Sequence, residues 1–322
     1  MIRLWLVCSF ILLFARPARG QQDGSDVADM ATRLAALTAV TGYERAMVDT
    51  LLRVIPGSRR DRAGNARLAL SGGSAKRLVA CPLDEPGFVV GRVREDGYLT
   101  LRRVPGPVPP LFDQQVEGQR VTVHSRWGAV PGVVAVRSIH LTRGRDTLSD
   151  APFTVDNAYV DVGAHSAAGV TALGIGVLAP VTLAKRPHLY GKGLLAAPAA
   201  GRRAACGALV LAVEQSVLRA KLLPPVTVAF VVEQNLDERG LATLANELGP
   251  FEETLLLDGR SGARGSLQQG PDADESTRWP GLGRVTRWSL SVRYAGTPVE
   301  TVALADADSL RQALVRWIGG GQ

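Results

Sequence analysis

Hydrophobic residues recur at helical spacing near both ends of the chain. Between residues 26 and 37 they fall on one helical stripe, and a second stripe over residues 47–52 follows the capping-box pattern of Thr41 and Glu44. The same spacing predicts a helix over about residues 203–218 and two more towards the C-terminus. Nearly continuous apolar stretches such as VTVAFVV lie between these helices and are typical of strands that are covered on both faces. The alternation predicts an α/β fold with helices on both sides of a sheet.

The middle of the chain has a different pattern. From about residue 91 to residue 162, short stretches such as QRVTVHS and AYVDVG alternate hydrophobic and polar residues and are separated by proline and glycine. This pattern is typical of a small β-barrel. We therefore predict an α/β domain formed by residues 21–90 and 180–322, interrupted by an inserted β-barrel domain over residues 91–179.

The first twenty residues are predicted to be a secretory signal peptide. Arg3 precedes an apolar run over residues 4–15, and the small-x-small sequence Ala18-Arg19-Gly20 follows. The run is shorter than the roughly 20 residues that span a bilayer. We expect cleavage after Gly20 and export of the remaining chain to the periplasm or the medium. An uncleaved membrane anchor is the alternative, because arginines flank the run.

The charge of the chain does not point to nucleic acid. The net charge is +7, and removal of the three arginines of the signal peptide lowers it to +4. Only 5% of the residues are aromatic, and no basic block is interleaved with aromatic residues. We therefore predict no nucleic-acid partner, and we attribute the positive charge to an arginine-rich solvated surface.

Two cysteines, Cys81 and Cys206, remain outside the signal peptide. Two cysteines exclude a disulfide framework but allow one disulfide in an oxidising compartment. The alternative is a pair of free buried cysteines, which are common in protein cores. The sequence alone does not decide between these two states.

Several short motifs follow one another in an order that is found in one enzyme family. They are TGYE, DRAGN, LDEPGF, DGYL, VDVGAHS, APAAGRRAAC, VVEQNLDERG, LLLDG and RYAGTPVE. By their order and spacing the chain resembles the glutamyl and deblocking aminopeptidases, dinuclear-metal exopeptidases that include the tetrahedral aminopeptidase. The resemblance implies a three-layer α/β/α zinc-peptidase domain with an inserted β-barrel that is commonly used for oligomerisation. It also implies that an active member would use two zinc or cobalt ions.

The first metal-binding motif of this family is incomplete here. The resemblance assigns Asp84 to the aspartate that orients a metal-binding histidine, retains Glu85 beside it, and places Pro82 at the histidine itself. The bridging aspartate of the family falls on Gly201, whereas the arginine of the same motif is retained as Arg203. The family's first histidine ligand and its bridging carboxylate are therefore both replaced.

The remaining family positions are also altered. The general base and the adjacent metal-binding glutamate fall on Gln234 and Asn235, and the last histidine ligand falls on Gly296. Only the aspartate ligand Asp258 is retained. Histidine positions support this assignment without any alignment, because none precedes residue 124 or follows residue 188. The four histidines are His124, His140, His165 and His188.

These replacements remove the chemistry of a metallopeptidase. A dinuclear site needs a bridging carboxylate and charged or imidazole ligands on each ion. An amide such as Gln234 does not accept a proton at neutral pH, and water that is not bound to metal remains a poor nucleophile. We predict a catalytically inactive member without bound metal that keeps a binding or assembly role. The expected partners are a peptide or glycan in the former cleft and further copies of the chain through the barrel.

The retained charged residues are expected to have structural roles. Asp84 is predicted to bond backbone amides or Arg203, and Asp258 is predicted to pair with Arg260 or Arg202. A further hypothesis is that Arg202 supplies the positive charge that metal ions supply in the family. Two alternatives for the whole protein remain open: an active metal-dependent aminopeptidase with an unorthodox site, and a structural protein that uses the barrel for assembly.

Two replacement chemistries are disfavoured. A mononuclear metal site of Cys81, Cys206, Asp84 and Asp258 is unfavourable because residue 81 of an extended strand points away from the side of residue 82. Glu233 is a weak replacement base, since in a strand it faces the side opposite to its neighbour Gln234.

Overall fold

The computed structural model describes residues 23–71, 75–104, 106, 108–110, 112–135, 153–217, 223–262 and 267–321. The predicted signal peptide and His140 lie outside these residues. Within the described part of the chain, no helix has the length and apolar character needed to cross a membrane.

The described residues form seven α-helices and sixteen strands. The helices are α1 (Asp23–Ala35), α2 (Arg45–Val54), α3 (Ala167–Ala172), α4 (Ala200–Val217), α5 (Arg239–Leu248), α6 (Ala273–Arg278) and α7 (Leu304–Ile318). The strands before α4 are β1 (Arg59–Arg60), β2 (Ala66–Leu70), β3 (Arg77–Pro82), β4 (Phe88–Val93), β5 (Leu99–Arg103), β6 (Arg120–Ser125), β7 (Gly128–Val134), β8 (Tyr159–Asp161), β9 (Pro180–Leu183), β10 (His188–Tyr190) and β11 (Leu194–Ala196). Those after α4 are β12 (Val226–Val231), β13 (Glu253–Ser261), β14 (Leu267–Pro271), β15 (Arg284–Arg293) and β16 (Thr301–Ala303).

A ten-stranded sheet forms the middle layer of the larger domain. Its strand order is β1-β2-β12-β3-β13-β15-β16-β11-β10, and β14 pairs with β15. The central strands β12, β3, β13 and β15 are parallel. Along β3, Val79 and Cys81 enter the core shared with α1, α2, α4 and α7, whereas Leu78 and Ala80 enter the core shared with α5. This alternation covers both faces of the strand, and the predicted α/β fold is confirmed.

The inserted unit is a closed six-stranded barrel in the order β4-β5-β8-β7-β6-β9. Its interior is filled by apolar side chains such as Val90, Leu101 and Val181. The barrel strands run from Phe88 to Leu183, a few residues beyond the predicted limits of 91 and 179. The reason is that β4 and β9 pair with each other and close the barrel, so both strands belong to it.

Candidate functional site

The ends of the central parallel strands place the family positions near one another. β3 ends at Pro82, which pairs with the last residue of β12, and Asp258 lies on β13. The first turn of α4 packs against these strands, so that a Cβ atom on Gly201 would lie 2.8 Å from the Cα atom of Gly259. Clefts at the carboxyl edge of a parallel sheet are common positions for ligand sites in α/β proteins.

Arg202 bridges the two retained aspartates. Its Nε atom donates to Oδ1 of Asp258 at 2.9 Å, and its Nη1 atom donates to the backbone oxygen of Asp84 at 3.0 Å. The same Nη1 atom lies 3.4 Å from Oδ1 of Asp84. The guanidinium group therefore lies between the carboxylates that the resemblance places at the metal site, and both are engaged with it.

Asp84 is fully buried and holds the turn after β12. Its Oδ2 atom accepts hydrogen bonds from the backbone N–H of Asn235 at 2.8 Å and from the hydroxyl of Thr41 at 3.0 Å. Burial raises the pKa of Asp84, although Arg202 and these donors act in the opposite direction. The predicted bond to a backbone amide is present, but the arginine that contacts Asp84 is Arg202 rather than Arg203.

Thr41 was assigned to a helix cap, and this prediction is wrong. The α2 helix has Glu44 at its N-cap, without a capping hydrogen bond from a side chain. The Thr41 hydroxyl bonds Asp84 instead and accepts a hydrogen bond from the side-chain amide of Asn235 at 3.0 Å. Thr41 therefore belongs to the site, and a tertiary contact has replaced the local one.

Glu85 forms a separate buried ion cluster. Its carboxylate accepts a hydrogen bond from Nη2 of Arg203 at 2.9 Å, and both of its oxygens lie 2.5 Å from Nζ of Lys185. Arg203 is fully buried and also donates to the backbone oxygen of Leu83. Burial alone would raise the pKa of Glu85, but the two cations hold it below its ordinary value. These contacts fix the turn after β3 against α4.

Asp258 has a second arginine partner that the sequence did not indicate. Arg287 on β15 lies 3.6 Å from its Oδ2 atom, whereas Arg260 is exposed and forms no ion pair with it. Burial opposes the charge of Asp258, but the two arginines lower its pKa below the ordinary value. Of the two predicted partners of Asp258, Arg202 is therefore present, and Arg287 is a second arginine that pairs with the same carboxylate.

The two glycines that the resemblance assigns to ligand positions lie in tightly packed surroundings. A Cβ atom on Gly201 would lie 2.6 Å from Cγ1 of Val292, and one on Gly296 would lie 2.9 Å from Cδ of Pro109. Gly296 also has a φ of +71°, which favours glycine. The backbone N–H groups of both glycines donate to the carboxylate of Glu300, at 2.9 and 2.8 Å. Glu300 therefore links these two segments through their backbone.

The other residues considered as replacement bases or ligands lie away from the site or have other partners. Gln234 lies partly buried in the turn after β12, and Glu233 pairs with Arg239 at 3.0 Å instead of facing the site. Cys81 and Cys206 form a disulfide, with their Cα atoms 5.6 Å apart. Their sulfur atoms are bonded to each other, which contradicts the alternative of a mononuclear site with cysteine ligands.

The residues present do not fit a dinuclear metal centre. In the described ranges, no group of three or more histidine, cysteine, aspartate or glutamate side chains is arranged to hold a metal ion. Pro82, Gly201 and Gly296 have no side-chain donor, and the two retained aspartates already bond a guanidinium group. No reaction step through zinc or cobalt is derived for this chain.

A cavity of about 190 Å³ lies beside Arg202, between the barrel and the α/β domain. Residues of both units line it. Several of the residues that line the cavity are far apart in sequence and do not belong to a recognisable sequence motif. They include Phe88, Gln115, Lys185, Arg202, Asn235 and Glu300.

Comparison with known proteins identifies the family. The model of the M42 glutamyl aminopeptidases matches residues 64–259. The aminopeptidase-family protein SgcX of Escherichia coli (strain K12) is 31% identical over 219 residues, which are 66% of this chain and 57% of SgcX. The lysyl aminopeptidase of Pyrococcus furiosus is 30% identical over 132 residues, which are 39% of this chain and 37% of that enzyme. The chain thus spans less than two thirds of these relatives.

Solved structures share the fold over nearly the whole chain. The TET1 peptidase of Pyrococcus horikoshii has a TM-score of 0.78 at 18% identity, covering 91% of this chain and 99% of its own. Aminopeptidase APDkam598 of Desulfurococcus kamchatkensis has a TM-score of 0.77 at 19% identity, covering 94% of this chain and 96% of its own. These structures show the fold, and the family model matches more than half of the sequence, so the chain belongs to the M42 glutamyl aminopeptidase family.

Proposed function

We propose that this chain is a catalytically inactive member of its family that binds a ligand in the cavity beside Arg202. The observation that carries the proposal is the guanidinium group of Arg202, which bonds both retained aspartates. An arginine is permanently charged and does not activate water, so it stabilises the carboxylates without supplying the chemistry of a metal ion. Gln234 at the position of the general base supports the same proposal.

The test is a joint measurement of metal content and hydrolysis. The chain from residue 21 onwards is purified, incubated with excess zinc or cobalt, and passed through a desalting column. We expect far less than one ion per chain and no release of the chromophore from leucyl or glutamyl p-nitroanilide. Two bound ions together with turnover of either substrate would establish the alternative of an active enzyme with an unorthodox site.

Export of the protein is part of the proposal. The disulfide between Cys81 and Cys206 supports it, because disulfides persist in oxidising compartments and are rare in the cytosol. A fusion of residues 1–20 to a reporter that is active only after export tests it. We expect reporter activity, and its loss when charged residues replace the apolar run at positions 4–15.

A second candidate function is self-assembly through the barrel. Trp127 at the β6–β7 turn is 71% exposed, and Val177 and Leu178 are 60% and 59% exposed. A Cβ atom on Gly174 would overlap the Trp127 ring, which places the ring against the loop that leads to Val177. Clustered exposed apolar side chains commonly mark protein interfaces. The Pyrococcus horikoshii relative is described as assembling into a tetrahedron or an octahedral shell, which supports this candidate.

The assembly test compares two surface substitutions by light scattering after size-exclusion chromatography. Trp127→Ser is expected to lower the mass of the wild-type oligomer, because it removes the largest exposed apolar side chain of the patch. Val299→Ser is the control, since Val299 is 57% exposed on the α/β domain. A monomeric wild type, or equal masses for all three proteins, would count against assembly through this surface.

A further inference from the structure

Arg202 has one nitrogen that the ion pairs do not use. Its Nε atom bonds Asp258 and its Nη1 atom bonds Asp84, whereas Nη2 makes no hydrogen bond with any described residue. The side chain is 21% exposed and lines the cavity. Two N–H groups with a positive charge are therefore available to a molecule in the cavity.

The walls of this cavity are largely apolar. Phe88 and Phe112 stack on the barrel side with their ring centroids 5.6 Å apart. Leu183 and two prolines, Pro198 and Pro298, contribute further apolar surface. The volume of about 190 Å³ is below the roughly 300–1,000 Å³ of cavities that take drug-sized ligands. The occupant is therefore small and has an apolar body.

The other charged groups along the cavity are already satisfied. Glu85 and Lys185 pair with each other, and the two oxygens of Glu300 accept hydrogen bonds from backbone N–H groups. The N-terminus of α4 lies on the same side as Arg202, and its helix dipole favours a negative charge there. A ligand anion would meet unused donors at Arg202, whereas a ligand cation would have to compete with a fixed guanidinium group.

We propose that the cavity binds a small monocarboxylate with an apolar body, whose carboxylate accepts hydrogen bonds from Nη2 of Arg202. A carboxylate oxygen accepts a strong, charge-assisted hydrogen bond from a guanidinium N–H group. A phosphate dianion is less suitable, because Asp84, Asp258 and Glu300 would repel its larger charge. This inference rests on the proposed function, since a dinuclear active site would require Asp258 to bind metal and Asp84 to orient a metal ligand, whereas here both bond Arg202.

Three small molecules of nearly equal shape test whether the cavity prefers an anionic, a neutral or a cationic ligand. Phenylacetate carries the carboxylate, phenylacetamide is its neutral analogue, and 2-phenylethylamine carries a positive charge. Titration calorimetry on the wild-type chain is expected to show phenylacetate binding at least about tenfold more tightly than the other two, a difference of about 1.4 kcal/mol. Equal affinity for the acid and the amide, tighter binding of the amine, or no binding of phenylacetate up to about 10 mM would overturn the proposal.

Two substitutions locate the site. Gln115→Trp places an indole on the cavity wall at a residue outside the ion pairs, and we expect at least about a tenfold loss of phenylacetate affinity with little change in thermal stability. Arg260→Gln is the matched control, because Arg260 is exposed on β13 and does not line this cavity. Phenylacetate binding that is unchanged in Gln115→Trp would contradict the assignment of the cavity.

Arg202→Gln tests the anchor itself. It leaves two buried aspartates without this guanidinium group, so its folding is checked by circular dichroism before titration. If it folds, we expect it to bind phenylacetate and phenylacetamide with equal affinity. A retained preference for phenylacetate would contradict the role of Arg202, and if the variant fails to fold, the wild-type series and Gln115→Trp still decide the proposal.

Two further measurements distinguish a general anion site from a carboxylate site, and failure of this inference from failure of the proposed function. Inorganic phosphate at constant ionic strength is expected not to displace phenylacetate, and full competition would indicate a general anion site instead. Metal content and hydrolysis are measured on the same sample. If the protein contains no metal, is inactive and does not bind phenylacetate, only this inference is wrong. If it contains stoichiometric metal and hydrolyses the substrate, the proposed function is wrong.

Discussion

Glu44 is a single buried carboxylate that makes the free energy of unfolding depend on pH. Its Oε1 atom accepts hydrogen bonds from the backbone N–H groups of Gly42 and Glu233, and the residue is only 4% exposed. Burial raises its pKa from 4.5 to about 7, against the effect of these donors. The folded state therefore favours the protonated form of Glu44 between these two values.

The prediction is that the free energy of unfolding falls as the pH rises from about 4.5 to about 7, because the folded state binds more protons than the unfolded state in this interval. In Glu44→Gln the amide oxygen can still accept both hydrogen bonds, and no charge develops. We expect the variant to gain about 3 kcal/mol relative to the wild type between pH 4.5 and pH 7.5 in urea unfolding.

The control for this prediction is Glu117→Gln, which removes an exposed carboxylate from the barrel side of the chain. Its stability difference from the wild type should be small and should not depend on pH in this way. A constant difference between Glu44→Gln and the wild type over the whole range would show that Glu44 is already ionised at low pH in the folded protein.

Sequence reasoning identified some side chains of the site but not their whole network. Asp84, Asp258 and Arg202 were identified because motif positions and adjacency to Gly201 pointed to them. Lys185 was missed because its ion pair with Glu85 joins residues 100 positions apart, and no local pattern indicates such a contact. Thr41 was misassigned because its spacing to Glu44 also suits a helix cap.

Among the secondary-structure elements, β3 and α4 together carry most of the site. Asp84 and Glu85 follow β3, and Arg202 and Arg203 lie in the first turn of α4. The disulfide joins the same strand and helix, through Cys81 and Cys206. Covalent attachment therefore reinforces the ion pairs between these two elements. Periodicity predicted α4, which is a long apolar helix, whereas the sequence left the pairing of the two cysteines open.

Removal of this disulfide should weaken the whole α/β domain. It closes a loop with a sequence separation of 125 residues, and loss of such a crosslink costs roughly 2–5 kcal/mol. We expect the double variant Cys81→Ala/Cys206→Ala to unfold at a lower urea concentration than the wild type. Addition of a reductant should lower the midpoint of the wild type to a similar extent and should leave the midpoint of the double variant unchanged.

A thiol titration supplies the complementary measurement. The chain from residue 21 contains no cysteine other than Cys81 and Cys206, so the unfolded, unreduced protein should show no reactive thiol. Two reactive thiols per chain, or a wild-type midpoint that does not respond to the reductant, would contradict a stabilising disulfide. The single variant Cys81→Ala should show one thiol and calibrates the assay.

For the whole molecule, the chain keeps the fold of its family. The sheet and the closed barrel are stabilised by buried apolar side chains at regular spacing along the strands and helices. This spacing does not depend on the residues at the strand ends. The residues that the resemblance assigns to the metal site lie near those ends. Segments from the barrel side contact them, since Pro109 packs near Gly296 and Gly106 packs near Asn235. The positions that the resemblance assigns to metal ligands are therefore closely packed.

This packing predicts that replacement of the lost ligands will not restore a metal site. The variant with Pro82→His, Gly201→Asp, Gln234→Glu, Asn235→Glu and Gly296→His carries every family side chain assigned by the resemblance. A side chain at position 201 would collide with Val292 and Gly259, and one at position 296 would collide with Pro109. Each overpacked position costs about 1–3 kcal/mol, so we expect a lower melting temperature and less than one zinc ion per chain.

A matched variant that keeps both glycines and changes only Pro82, Gln234 and Asn235 separates collision from ligand loss. It should remain more stable than the fivefold variant and should also bind no zinc, because Arg202 still bonds Asp84 and Asp258. Addition of Arg202→Asn to the fivefold variant frees the two aspartates but leaves the collisions in place. The opposite result is that the fivefold variant alone binds two zinc ions with an unchanged melting temperature. That result would show that the packing around Gly201 and Gly296 does not prevent metal binding, and that the side chains present at the five positions are a sufficient explanation.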